Sequence, residues 1–345
     1  MRKINKQILI VLTCLFVGLA FVFWPLPYYI EYPGAAENVA KYVKVNHQKA
    51  HTKGQFMLVY VSLMQATPAT LLASYFQDYH EIESKADVLG DNDTAEYNQV
   101  QEYYMDDAVN QAKYVALKLA GKEVWQNYLG MYVMSVASDS TFKDKLRVGD
   151  VITKINGVHY SNSQAFIQAV GKMPENTQIS LTILRNGHEK ILTGKTKKIT
   201  KKRVGIGITL ADRSEIKTSI PIEANLADIG GPSAGLMLTL QMYMQVSQQD
   251  LTKGQKIAGT GTMDKTGRVG DIGGIDKKVV ASAKAGAKIF FAPNNPVSKA
   301  EKKANPQALS NYAEAKKTAK AIGTKMKIVP VKTIQDALDY LKNEN

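Results

Sequence analysis

Apolar and polar positions alternate in three different textures along the chain. From Ile8 to Trp24 the run is apolar and uncharged, at the short end of what spans a bilayer. "GQFMLVYVSL" (54–63) is a β-rich apolar stretch bounded by glycine and predicts a buried strand. Tyr97, Val100, Tyr104, Ala108, Ala112, Val115 and Leu119 then recur at helical spacing, predicting a long helix with this stripe in the core. From about 128 to 196 the pattern shortens. It predicts a strand at "GMYVMSVA" (130–137), a strand with an Asn-Gly turn in "LRVGDVITKINGVHY" (146–160), a short helix and a hairpin. Beyond 201, strands and helices alternate: "RVGIGITL", a helix from Ser233, "QKIAGTGTM", a helix from about Asp276, "KIFFAPN", a helix near 307–322, "KMKIVPV" and a last helix. Thr333, with Asp336 three residues on, caps that last helix.

The 345 residues allow two or three domains. The net charge of +13 suits an anionic surface, but the densest basic run, "KTKKITKKR" (195–203), has no interleaved aromatic residue. It reads as a solvated linker, and no nucleic-acid partner is expected. One cysteine, Cys14, excludes an intrachain disulfide and a cysteine-based metal site, and "HEIES" (80–84) lacks the second histidine of a zinc motif. No metal or cofactor is expected. Arg2, Lys3 and Lys6 precede the first apolar run, and Trp24, Tyr28 and Tyr29 follow it as an interfacial belt. This predicts an uncleaved single-pass anchor in the cell membrane, with the rest of the chain extracytoplasmic. A cleaved signal peptide, using Gly18 and Ala20, is the other reading.

The strand, turn and helix pattern over 121–200 resembles a bacterial PDZ domain. That likeness implies that Gly130, Met131, Tyr132 and Val133 form a loop whose N–H groups hold a peptide's carboxylate or main chain, by strand addition.

"DIGGPSAGLMLTLQMY" (228–243) strips bulky side chains from around one hydroxyl and then launches a helix. A helix start accounts for Ser, Pro and Gly in that order. A displayed nucleophile is the sharper alternative, and it requires that something take the serine's proton. All five histidines (47, 51, 80, 159 and 188) precede residue 189, so the segment with Ser233 has none. Lysine is the remaining base, if burial lowers its pKa. In "GGIDKKVVASAKAGAK" the stripe through Lys277 continues through Lys284 and Lys288 and reads as a solvated cationic face. The stripe through Lys278 runs through Ala281, Ser282 and Ala285, which are small and uncharged, so Lys278 is the one placed for desolvation.

"GGPSAG", the second lysine of "GGIDKK" 45 positions later, "AGTGTMDKTGRVGDIGGIDKK" and "IVPVKTIQDALDYL" together resemble the Lon-type proteases. The likeness implies Ser233 as nucleophile, Lys278 as general base, Thr260 as a hydroxyl that orients the lysine, and Gly231 and Pro232 as supports of the nucleophile turn. Two departures stand out. Gly230 occupies a position where Lon proteases usually have aspartate, and "GKT" (194–196) has Glu189 in place of a phosphate loop's first glycine.

The expected architecture is a mixed α/β Lon-protease-like domain with a β-rich PDZ domain and one N-terminal transmembrane helix. The expected division is an anchor (1–27), a protease-associated strand and helix region (28–120), a PDZ-like domain (121–200) and a proteolytic domain (201–345). The likeness implies an ATP-independent, membrane-anchored endopeptidase with peptide or protein substrates, such as a secreted signalling peptide. It is compatible with a homo-oligomer, which nothing in the sequence requires. The competing reading is an inactive PDZ-type scaffold at the membrane surface.

Overall fold

The computed structural model describes residues 6–50, 52–200, 203–226 and 229–343. It opens with the 18-residue apolar helix Lys6–Phe23, none of whose residues is buried. At 1.5 Å per residue such a helix is about 27 Å long, close to the hydrocarbon thickness of a bilayer. Arg2 and Lys3, expected to flank it, lie outside the described residues.

Six strands form the main sheet, in the order Lys327–Val331, Ile289–Pro293, Lys256–Gly259, Gln55–Gln65, Tyr28–Asn38 and Glu81–Ser84. The first four are mutually parallel and the last two pair antiparallel. Half of this sheet thus comes from residues before the β-rich segment and half from residues after it. Every residue of Ile289–Pro293 is buried, as a parallel strand covered on both faces requires.

Alternation along the strands divides the core in two. Phe56, Leu58 and Phe291 face the helices Thr94–Leu119, Gly235–Ser247 and Ile334–Asn343. Met57, Val59, Ala258 and Phe290 face the helices Ile275–Lys284 and Asn311–Ala321 on the other side. Thr333 and Asp336 cap the last helix reciprocally, as their spacing predicts.

The long helix Thr94–Leu119 starts at an Asp93–Glu96 capping box. Val100, Ala108, Ala112 and Val115 are buried as expected, but Tyr104 and Leu119 are exposed, and Met105, Val109 and Ala116 join the stripe instead. The stripe shifts because this helix packs against two bodies. Its second partner is the other sheet, ordered Ile208–Lys217, Trp125–Val136, Val151–Ile155, Gln178–Arg185 and His188–Lys195. That sheet encloses a core of Met131, Val133, Phe142, Ile152, Phe166, Leu181 and Ile183. Tyr103 of the long helix donates to Asp212 O at 2.6 Å and stacks on Tyr132 at 4.3 Å. Asn110 donates to Ser214 O at 3.0 Å, and Asp106 pairs with Arg213 at 3.0 Å. The helix is therefore a strut between the two sheets.

Two expectations are corrected here. "RVGIGITL" does not open the third segment's sheet: residues from Ile208 onward form an edge strand on Trp125–Val136. The basic run is not wholly a solvated linker either, since Lys197–Thr200 pairs with Arg203–Gly205 as a small hairpin. Charge content alone hid the β-pairing in both.

Candidate active site

Ser233 lies in a single 3-10 turn, Pro232–Ala234, that leads into the helix Gly235–Ser247. Gly231 enters the turn at φ +86°, a conformation natural to glycine, and its N–H donates to Gln101 O of the strut helix at 3.0 Å. Pro232 occupies the first helical position, where its missing N–H costs nothing. At Gly230 a Cβ would fall 2.6 Å from Gln101 Cβ. The place where a side chain would stand is thus filled by Gln101.

Thr260 directly follows the central strand Lys256–Gly259 and is fully buried. Its hydroxyl donates to Ser233 O at 3.1 Å, and the N–H of Gly261 donates to the same oxygen at 2.9 Å. Lys278 sits in the first turns of the helix Ile275–Lys284, 3% exposed. Its Nζ lies 3.0 Å from Ser233 Oγ and 3.4 Å from Thr260 Oγ1. Serine and lysine thus come from helices on opposite faces of the sheet and meet beyond the carboxyl end of a strand between them. Such a strand end is where open α/β sheets place their ligands. Burial lowers the Lys278 pKa to about 8, against a smaller opposing pull from Glu31. Near neutrality a useful fraction of the amine is unprotonated, and its lone pair then faces the serine hydroxyl.

Lys277 departs from expectation. It is 2% exposed, not solvated, and bonds Glu81 at 2.8 Å, Glu31 at 3.3 Å and Asp276 at 3.5 Å. These carboxylates raise its pKa to about 12 against the effect of burial. Adjacent lysines are thereby split: one is held charged by carboxylates, and the other is left without one in contact.

The proposed peptide loop is also corrected. Gly130, Met131, Tyr132 and Val133 lie inside the strand Trp125–Val136, flanked by strands on both sides. Met131 pairs with Asp212 on one side and Ile152 on the other, and Val133 N–H donates to Asp150 O at 2.9 Å. Gly130 marks a β-bulge: the register shifts beside it, its φ is +144°, and a Cβ would lie 2.6 Å from Ile152 O. An open stretch of sheet edge lies instead at Ile208–Ala211, before Asp212 and Ser214, whose carbonyls are taken by Tyr103 and Asn110. Beside it, Phe166, Ile167 and Val170 of the helix Ser163–Gly171, with Ile206, Ile208 and Leu210, line an apolar groove of about 180 Å³. A second cleft, about 530 Å³, separates this sheet from the turn at Met263–Lys265 and is lined by Tyr103, Asp107, Tyr128 and Asp212. Among the described residues no cluster of His, Cys, Asp and Glu could hold a metal ion.

Residues 173–342 match the Lon protease (S16) C-terminal proteolytic domain, and residues 109–196 match a PDZ domain. The chain contains a Lon-type proteolytic domain and a PDZ domain. Similar relatives include the Lon protease of Mycoplasma mycoides subsp. mycoides SC, 27% identical over 239 residues (65% of this chain, 26% of that protein). The Lon protease of Fervidobacterium nodosum is 27% identical over 179 residues (48% and 20%). That of Trichlorobacter lovleyi is 30% identical over 125 residues (36% and 13%). The chain spans about a quarter or less of the length of these relatives. Among solved structures, the PDZ domain of an SdrC-like protein from Listeria monocytogenes is 34% identical. It covers 24% of this chain and 90% of that one, with a TM-score of 0.24.

Sequence reasoning missed Gln101, Glu31 and Glu81. All three lie before the PDZ domain, and only the shared sheet and the strut helix bring them to the site. Uncharged Gly230, departing from the Lon pattern, was the one signal that something else fills that space.

Proposed function

We propose that this chain is an ATP-independent, membrane-anchored serine endopeptidase with Ser233 as nucleophile and Lys278 as general base. The observation that carries the reading is the 3.0 Å approach of a buried lysine amine to a hydroxyl at a helix start. Neutral Lys278 takes the Ser233 proton as Oγ attacks the scissile carbonyl, and then passes it to the leaving amine. Thr260 holds both partners in line. The N–H groups of Gly231 and Leu236 are committed to Gln101 O and Gly261 O, so the reading uses the Ser233 N–H, at the positive end of the helix, for the oxyanion. One such donor is worth about 3–4 kcal/mol of barrier.

Substrate peptide adds to the open part of the edge at Ile208–Ala211, seats apolar side chains in the adjoining groove, and reaches Ser233 past the cleft at Met263. In this reading the PDZ unit extends to Lys217, residues 28–120 are part of the proteolytic body, and the apolar helix Lys6–Phe23 anchors an extracytoplasmic catalytic part. "GKT" at 194–196 supports ATP independence, because Gly194 and Lys195 are strand residues paired with Ile179 and Gln178 and form no phosphate loop. The test compares peptides released by cells carrying the native chain with those from cells carrying Ser233→Ala. Loss of specific cleavage products supports the reading, and an unchanged peptide set refutes it.

A further inference from the structure

The short helix Pro68–Ser74, closed at its start by a Thr67–Thr70 capping box, turns its apolar residues outward. Phe76 is 84% exposed, Tyr75 74% and Leu72 55%. No charged residue occurs between Gly54 and Gln77. A run of large apolar side chains at the end of such a helix and in the turn that follows is an unusual surface for water. Its position in the fold accounts for it.

Leu26 N–H, just past the apolar helix, donates to Ala66 O at 2.8 Å, and Ala66 N–H donates to Tyr28 O at 2.9 Å. Gln65 adds a side-chain bond to Leu26 O at 3.2 Å. These bonds tie the start of the short helix to the outer end of the apolar helix, and the two helices touch. Exposed Trp24 and Tyr28 stand at that same level. Aromatic side chains gather at membrane interfaces because their rings are apolar while their edges carry polar groups.

We propose that Leu72, Tyr75 and Phe76 form a second membrane contact, inserted into the headgroup layer of the outer leaflet beside the anchor. The proposal rests on reading Lys6–Phe23 as a membrane span. One helix alone is a swivel. Two contacts fix the tilt of the catalytic body, and hence the height of Ser233 above lipid. The occupant is lipid and not a second copy, because the patch continues the apolar surface of the anchor at the depth where that surface leaves the bilayer.

The test uses the full chain in phosphatidylcholine–phosphatidylglycerol vesicles with brominated acyl chains. Trp24 and Trp125 are the native tryptophans. A Trp24→Phe, Trp125→Phe, Phe76→Trp chain reports on the patch, Trp125→Phe alone reports on the anchor, and Trp24→Phe alone is the water-exposed reference. The Phe76→Trp emission should fall at least twofold on bromination, and acrylamide should quench it at least threefold less than the reference. Bromine quenching in the anchor reporter with none in the patch reporter would overturn this proposal while leaving the anchor intact. Quenching in neither would overturn both. A patch reporter shielded from acrylamide only at high protein density, and blind to bromine, would mean a second copy covers it and would equally overturn the lipid assignment.

Discussion

Replacing Lys277 with methionine should raise the pH at which the enzyme works without touching the proposed dyad. Glu31 from the strand Tyr28–Asn38 acts on Lys278, whereas Asp276 on the same helix, Glu81 and Glu83 from the edge strand, and Glu314 from the helix Asn311–Ala321 interact with Lys277. The strand Gln55–Gln65, also packed there, carries no Asp, Glu, Lys, Arg or His. Glu31 already pulls the Lys278 pKa upward, and the Lys277 charge pairs with that same carboxylate at 3.3 Å. Removing that charge unpairs Glu31 and deletes a neighbouring cation, and both changes favour protonated Lys278. A unit charge within several ångströms, at an effective dielectric near 20, is on the order of 2 kcal/mol or roughly 1.5 pKa units. Glu81 is 60% exposed and partly screened by water, so about one unit is expected. The acid limb of kcat/KM should move from about pH 8 to about pH 9, with roughly tenfold less activity at pH 7 and convergence at high pH. Lys277→Arg should leave the limb in place, and adding Glu31→Gln to Lys277→Met should return it. Thermal melts of each variant separate this from unfolding. A folded Lys277→Met enzyme with an unmoved limb would refute the electrostatic reasoning.

Gly230→Asp should cost about 1–3 kcal/mol of stability by overpacking against Gln101 Cβ; Gln101→Ala, which keeps that Cβ, should recover little of it, whereas Gln101→Gly should recover it less its own helix cost of about 1 kcal/mol, read by thermal denaturation of the double variants. Lys278→Met should stabilise the fold at pH 7 by about 3 kcal/mol, since a lysine depressed from 10.5 to about 8 is costly to keep charged; the gain should shrink between pH 8 and 10.5 as the native lysine deprotonates in the folded state, visible in melts across that window. Ile167→Lys in the PDZ groove should raise KM for a long substrate several-fold while leaving kcat on a short peptide unchanged, measured by steady-state kinetics on both.

The sequence carried the chemistry further than the architecture. Small residues at 281, 282 and 285 marked the side of the helix on which Lys278 is buried, because helical spacing is a local property. The fate of Lys277 was not local: its partners Glu31 and Glu81 lie some two hundred residues earlier, on strands whose place in the sheet no periodicity encodes. The same holds for Gln101, whose carbonyl fixes Gly231 from a helix that reads in sequence only as an apolar stripe. Gly130 was misread because a bulge glycine and a loop glycine look alike until the pairing of its neighbour Met131 with Ile152 and Asp212 on either side is seen. The strand Ile208–Lys217 was placed in the wrong sheet because it follows a basic run that resembles a boundary.

The dependence of kcat/KM on pH for a short peptide, measured on the native chain and on Lys278→Ala, tests the central claim most directly. Activity should rise along one ionisation near pH 8 in the native chain and be absent at every pH in the variant. A limb between pH 6 and 7 that disappears on replacing His159 or His188, or substantial turnover by Lys278→Ala, would contradict Lys278 as the base.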